Sequence, residues 1–470
     1  MKLIKLIYNE LYKIFHKKLI YILAIIAFII TALSGFLITK VNNNSVNALF
    51  IETYRQEVNG LDLNNAVDAQ AYVTIQPIID VYTISKDKKL DPNGPAQYFL
   101  DNDISNVVTN YYNAKYIEKN EEKAKELEEE KNELISKLDN FDWKEYINDK
   151  IKEIDSAEEV GFSNDLIKET KKIYEYRLNN NIPIAYTDAS NELDQYLTAY
   201  TSYDATKNKE TKIMTHQEKY SFEMAQAQVA KYQYRIDNNM IKSDYKAISA
   251  QSSFVSIFGS VSLFITVCIV MIAGQIVAEE YSKGTIKQLL VRPYKRSKII
   301  ISKTIATLIV VFGFILFLAV VEGVVAGVTT NSFSSLTQPI VEYNYHTHQV
   351  FTMNTITASL MKLIGILPEL LILTLFTVLI SALIGNTALA VVLGFILTFI
   401  PGMFSSMIDK FKPLSYLPIF TWNISEFLYG GMSFSESLTL PKAIGVDVVT
   451  IIALIFGIIL VFKKKEIKNQ

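Results

Sequence analysis

Glu279 to Lys303 reads EEYSKGTIKQLLVRPYKRSKIIISK, a short and strongly basic hinge between two long apolar segments. Two acids, Glu279 and Glu280, lead into a break at Gly284-Thr285. Ser282 or Thr285 can cap a short helix from Ile286 to Val291, with Ile286, Leu289 and Leu290 on one apolar face and Lys283 and Lys287 elsewhere. Arg292-Pro293 stops that helix, because proline has no N–H to continue it. Lys295, Arg296 and Lys298 then crowd the start of the next apolar run.

Outward from this hinge the composition is segregated. Half of the chain is hydrophobic and 20% is charged, with the charges crowded between Lys40 and Lys246. The remainder is apolar over windows long enough for about 30 Å of hydrocarbon. Six spans are read, at 19–39, 252–278, 299–328, 356–384, 387–408 and 443–462. Leu370 to Ile408 carries no charge and is too long for one helix, and Gly385-Asn386 divides it. A cleaved signal peptide is the alternative for 19–39, but the apolar run exceeds a typical h-region and no small-x-small site with a polar exit follows. Cys268, the one cysteine, lies inside an apolar run, so no disulfide forms within the chain.

Cations in short loops set the expected orientation. Lys2, Lys5, Lys13, Lys17 and Lys18 precede the first span, the 279–298 loop is basic, and Lys463, Lys464, Lys465 and Lys468 follow the last span. All three belong in the cytoplasm, which requires an even number of spans. The 329–355 loop has no Lys or Arg and 409–442 has only Lys410, Lys412 and Lys442, so both are placed outside. Within 1–18, Leu3, Ile4, Ile7, Leu11, Ile14 and Phe15 recur at helical spacing among lysines, which reads as an amphipathic helix on the inner membrane surface. The tail is 463–470.

The stretch 40–251 is then an extracellular insert. Residues 40–250 hold 26 Lys and Arg against 37 Asp and Glu, a net of −11. It reads as mainly helical: a hairpin around Lys115 to Asn140, where Ile117, Ala124, Leu127, Leu134, Leu138 and Phe141 follow a rough heptad, then helices at 163–178, 188–203 and 207–250. The last could run straight into the second span. Pro77, Pro92, Pro95 and Pro183 are placed between helices, and Ala71 to Ser85 could supply a strand or two. The charge run Glu118 to Glu133 is a solvated helix face.

The order of acids, Gly-Thr break, short helix and Arg-Pro stop resembles the loop after the second span of ABC type-2 exporter permeases, the membrane subunits of ATP-binding-cassette transporters. The resemblance covers the N-terminal helix, the six spans and the 279–303 loop, but not the insert in detail. It implies an all-α polytopic membrane protein and a coupling helix carried by Glu279, Glu280, Gly284, Thr285, Leu289, Arg292, Pro293 and Arg296. It also implies two cytoplasmic ABC ATPase subunits as partners, a second permease copy or a related permease, and a lipid bilayer around them. ATP and Mg would sit on the ATPase. A plain positive-inside loop explains the cations without the rest of the order. A large external domain between the first two spans is similar to A-subfamily exporters. The apolar 409–442 segment is similar to the re-entrant helices of these exporters, although Trp422 and its tyrosines could equally be interface anchors.

No catalytic site emerges. G-x-x-x-x-G-K-[ST], H-E-x-x-H and G-x-S-x-G are all absent, so ATP hydrolysis is expected on a separate subunit. His346 and His348 alone make an incomplete metal set, and no cofactor or nucleic acid is expected. Glu322 and Glu369, both mapped towards the external third of their spans, either line an exit path for cationic or amphipathic cargo or serve structure alone. The function expected is ATP-driven export of an amphipathic peptide, drug-like or lipid-like compound. The alternative is a membrane sensor or scaffold whose external domain detects a ligand or cell-wall component.

Overall fold

The computed structural model describes residues 2–40, 43–162, 164–207, 214–259, 263–285, 294–404 and 407–464. The chain is an all-α polytopic membrane protein, with six helices among the described residues that are long and apolar enough to cross a bilayer. In chain order its helices are α1 (Lys2–Phe15), α2 (Lys18–Lys40), α3 (Asn43–Val58), α4 (Ala66–Asp87), α5 (Pro95–Phe99), α6 (Ser105–Tyr112), α7 (Glu121–Lys137), α8 (Trp143–Glu159), α9 (Asp165–Asn180), α10 (Asp188–Lys207) and α11 (His216–Asp237). They continue as α12 (Ala250–Ile257), α13 (Leu263–Ser282), α14 (Arg296–Thr330), α15 (Thr355–Ile384), α16 (Thr387–Phe404), α17 (Pro418–Thr421) and α18 (Leu440–Lys464).

Two compact units divide the chain. One, the membrane unit, holds Met1–Thr39, Lys209–Lys231 and Ile248–Gln470, and the other holds Lys40–Asn208 and Tyr232–Ala247. Lys209–Lys231 was expected within the insert. Its described part instead packs with the membrane unit: His216 Nε2 lies 2.8 Å from the Ser433 carbonyl, and Tyr220 stands edge-on to Phe434.

The membrane unit is organised around α13, whose Cys268, Ile269, Val270, Ala273, Val277 and Ala278 are fully enclosed. A helix apolar all round belongs in the centre of a bundle. Small groups let its neighbours close in, as is usual between membrane helices. Ser381 of α15 donates to the Gly274 carbonyl at 2.7 Å and accepts from the Ala278 N–H at 2.8 Å. A Cβ on Gly394 of α16 would meet Val270 at 2.7 Å. The α15 to α16 turn falls at Gly385, in the left-handed conformation expected of the Gly385-Asn386 break.

The second span departs from its expected bounds of 252–278. Ser249 and Ser252 form a capping box that starts a separate helix, α12, and α13 runs on to Ser282, so Glu279 and Glu280 are helical. The last insert helix, α11, ends at Asp237, well short of the expected continuation to 250. The 329–355 segment contains an unexpected antiparallel hairpin, β1 (Ile340–Asn344) with β2 (Gln349–Met353), in the register Ile340↔Met353.

The insert unit is helical, and the strand expected near 71–85 is helix α4, with Pro77 inside it and buried. Pro95 sits in the first turn of α5, where its missing N–H costs nothing. Phe99, Leu100, Ile104, Val108 and Leu138 form a core where α7 packs on α6. Ile117 falls in a π-helical turn and is 41% exposed, so the heptad holds for Ala124 and Leu138 but fails at its first position.

Candidate functional site

The described part of the hinge lies beside α1. Of the stripe read from the sequence, Ile14 is buried and Ile7 and Leu11 pack against the core, while Ile4 and Phe15 are 70% and 47% exposed; Leu6 and Glu10 are buried beside it. Glu10 is the only acid before Glu52, and it occupies the i+4 position from Leu6 and the i−4 position from Ile14. An acid on an apolar stripe requires a cation facing it.

That cation is Lys303, on the third turn of α14 and 1% exposed. Its Nζ lies 2.7 Å from Glu10 Oε2 and 3.0 Å from Glu280 Oε1. Lys13 Nζ spans the same two acids, at 3.2 Å from Glu10 Oε1 and 3.3 Å from Glu280 Oε1. Two lysines and two glutamates thus form a neutral quartet joining three helices. Glu279 extends it outward to Lys17 and to Lys283, the latter at 2.5 Å, and the Thr285 hydroxyl donates to Glu280. The carboxylate of Glu279 raises the Lys283 ammonium above its ordinary range. A cleft of about 380 Å³ opens between α1 and this end of α13, with Tyr12, His16 and Ile276 among its walls.

Burying a lysine is tolerable here because every desolvated charge has an opposite neighbour within hydrogen-bond reach. Its consequence is mechanical. The end of α13 cannot move away from α14 or α1 without exposing an unpaired charge to apolar surroundings, so the three helices move together.

Of the hinge residues named from sequence, Glu279, Glu280 and Thr285 enter this network. Gly284 ends α13's turn at φ 68. Arg296 binds elsewhere, its guanidinium donating to the Lys463 carbonyl at 3.2 Å and so capping the end of α18. Leu289, Arg292 and Pro293, with the expected short helix, lie outside the described residues. The Ser282 hydroxyl donates back to the Glu279 carbonyl at 3.1 Å, and the Thr285 hydroxyl donates to the Glu280 carboxylate.

Glu322 and Glu369 are not brought together. Glu322 lines a small cleft with Thr31, Ser34 and Ser253 near the end of α14. Glu369 is the fifteenth of thirty residues in α15, at the middle of that helix. There Pro368 has no N–H to give the preceding turn, and the 412–430 segment enters the opening: Glu369 N–H donates to the Trp422 carbonyl at 3.1 Å, and Ile424 N–H donates to the Gly365 carbonyl at 2.9 Å. Gly365 has no Cβ because Ser425 already fills that place, 2.5 Å from where one would lie. Trp422 is buried on Ile372 and Ile419. The segment is therefore packed into protein, as a re-entrant reading requires, and Trp422 is no interface anchor.

A family described as a protein of unknown function (DUF2705) matches residues 213–468. The chain belongs to that family. The DUF2705 match takes in Glu279, Glu280 and Lys303 but not Glu10 or Lys13, and it begins close to the α11 residues that pack with the membrane unit. The chain is also similar to YdbK, an uncharacterized membrane protein of Bacillus subtilis (strain 168), at 26% identity over 201 residues, which are 42% of this chain and 75% of that protein. Sequence reasoning passed over Lys303 and Glu10 because each is a lone charge in a run of opposite character. That solitude was the available signal.

Proposed function

We propose that this chain is the membrane-spanning permease subunit of an ATP-driven exporter of the ABC type-2 class, with the 279–303 hinge receiving motion from a separate cytoplasmic ATPase. The observation that carries the reading is the Glu10, Lys13, Glu280 and Lys303 quartet. A loop that only connected two spans would need no buried ion network at its root. A loop that is pushed does, because the push must reach α1, α13 and α14 as one body. The positive-inside bias supports placing this end, with both termini, in the cytoplasm, and the insert outside. Broad apolar faces of α2 and α16 stay exposed, which suits lipid or a second permease subunit. The cargo is proposed as an amphipathic peptide, drug-like or lipid-like compound.

The test is purification of the full chain from its native membrane with cross-linkable residues placed at Lys287 and Arg292. Recovery of an ATP-binding subunit joined at those positions, with ATPase activity that falls when the hinge is scrambled, is the expected result. A kinase or cell-wall protein in its place would shift the reading to a sensor.

A further inference from the structure

The membrane unit buries a second set of acids that the hinge does not use. Asp447, on the third turn of α18, is 2% exposed. Its Oδ1 lies 2.6 Å from the Thr421 hydroxyl, itself 2% exposed, and that hydroxyl is also 3.3 Å from the Pro418 carbonyl. Its Oδ2 is enclosed and has no hydrogen-bond partner among the described residues. No ion pair among the described residues reaches it.

The charges on the elements packed against α18 are engaged elsewhere. α17 carries none. On α15, Lys362 pairs with Glu342 at 3.5 Å, and Glu369 is a second acid, joined by its backbone to Trp422. On α14, Arg296 holds the Lys463 carbonyl, Lys298 is exposed, Lys303 is locked in the quartet and Glu322 lies in its own cleft. On α18 itself, Lys442 binds Ser415 Oγ and the Ser437 carbonyl beneath the Tyr416 ring. Lys412, at the start of the segment, is exposed.

We propose that Asp447 is a proton-binding site within the bundle, occupied while the 412–430 segment is seated and vacated when that segment lifts away. An ionised carboxylate without a counter-cation in an apolar interior costs far more than the neutral acid, so the seated state holds the proton on Oδ2. Losing that proton requires water or a cation at Oδ2, and the Thr421 hydroxyl that holds the other oxygen belongs to α17, which is packed against α18. Proton release and departure of the segment are thus one event: alkaline conditions favour the lifted state and acid conditions the seated one.

The full chain in lipid vesicles tests this by infrared difference spectroscopy between about pH 6 and about pH 9. The expected result is a neutral-carboxyl C=O band that disappears at high pH, persists in Glu369→Gln and is absent from Asp447→Asn. In a Trp143→Phe background, Trp422 emission should move to the red with the same midpoint, and should lose that dependence in Asp447→Asn. Absence of any band that differs between wild type and Asp447→Asn would overturn the proposal. So would Trp422 emission that ignores the band. If Asp447→Asn does not fold, Thr421→Val takes its place: removing the hydroxyl should shift the band frequency, and an unmoved band belongs to another acid and defeats the assignment.

Discussion

The α1, α13 and α14 junction and the seat formed by α15, α17 and α18 bury acids in one bundle, yet they solve the electrostatic problem in opposite ways. At the junction, Glu10 and Glu280 each meet two ammonium groups. At the seat, Asp447 meets one hydroxyl and Glu369 only lends its backbone. Paired charges hold helices in a single arrangement, since separation strands an ion. An acid without a cation can shed its charge by taking a proton, so its hold on a neighbour is conditional.

The largest break in this contrast should come from Lys303→Met. It strands Glu10 and Glu280 beside Lys13 alone, and a loss of about 3–5 kcal/mol is expected for removing one partner of a buried pair. Thermal melting of the detergent-solubilised protein should show it. Adding Glu10→Gln and Glu280→Gln should restore much of the loss, whereas failure of that rescue would mean that packing, and not charge, holds the junction.

Gly365→Ala should rank second. The new Cβ meets Ser425, and about 1–3 kcal/mol is typical of overpacking. The specific sign is a red shift of Trp422 emission, since the segment must back out of the α15 kink. An unchanged spectrum would mean that α15 yields instead.

Asp447→Asn should change stability by less than about 1 kcal/mol, since a neutral amide replaces a neutral acid beside the same hydroxyl. A melting loss as large as that of Lys303→Met would show that Asp447 is ionised, erasing the distinction between the two regions. Smallest of all, Lys283→Ala should leave the melting curve where it was. Lys283 is mostly exposed, and solvent screens its pairing with Glu279.

Much of this architecture was legible in the chain. Uninterrupted apolar length fixes the six spans, because no other structure leaves so few backbone groups unsatisfied in hydrocarbon. The Gly385 turn followed from local chemistry. Errors arose where neighbours overrode local preference: Val, Ile and Tyr near Pro77 suggested a strand, but with no partner strand the segment is helix α4. The stripe on α1 was read from hydrophobicity alone, as a face for the membrane surface, so Glu10 went unnoticed, although it is buried against Lys303.

By itself the sequence determined length, apolar run and the position of each break, all properties of a segment and its nearest residues. Tertiary structure alone decided which charges meet. Glu10 and Lys303 stand 293 positions apart, and Thr421 and Asp447 only 26, yet no periodicity in the chain announces either pair. Pairing depends on the rotation and depth of whole helices, and those are set by the sum of contacts around each one.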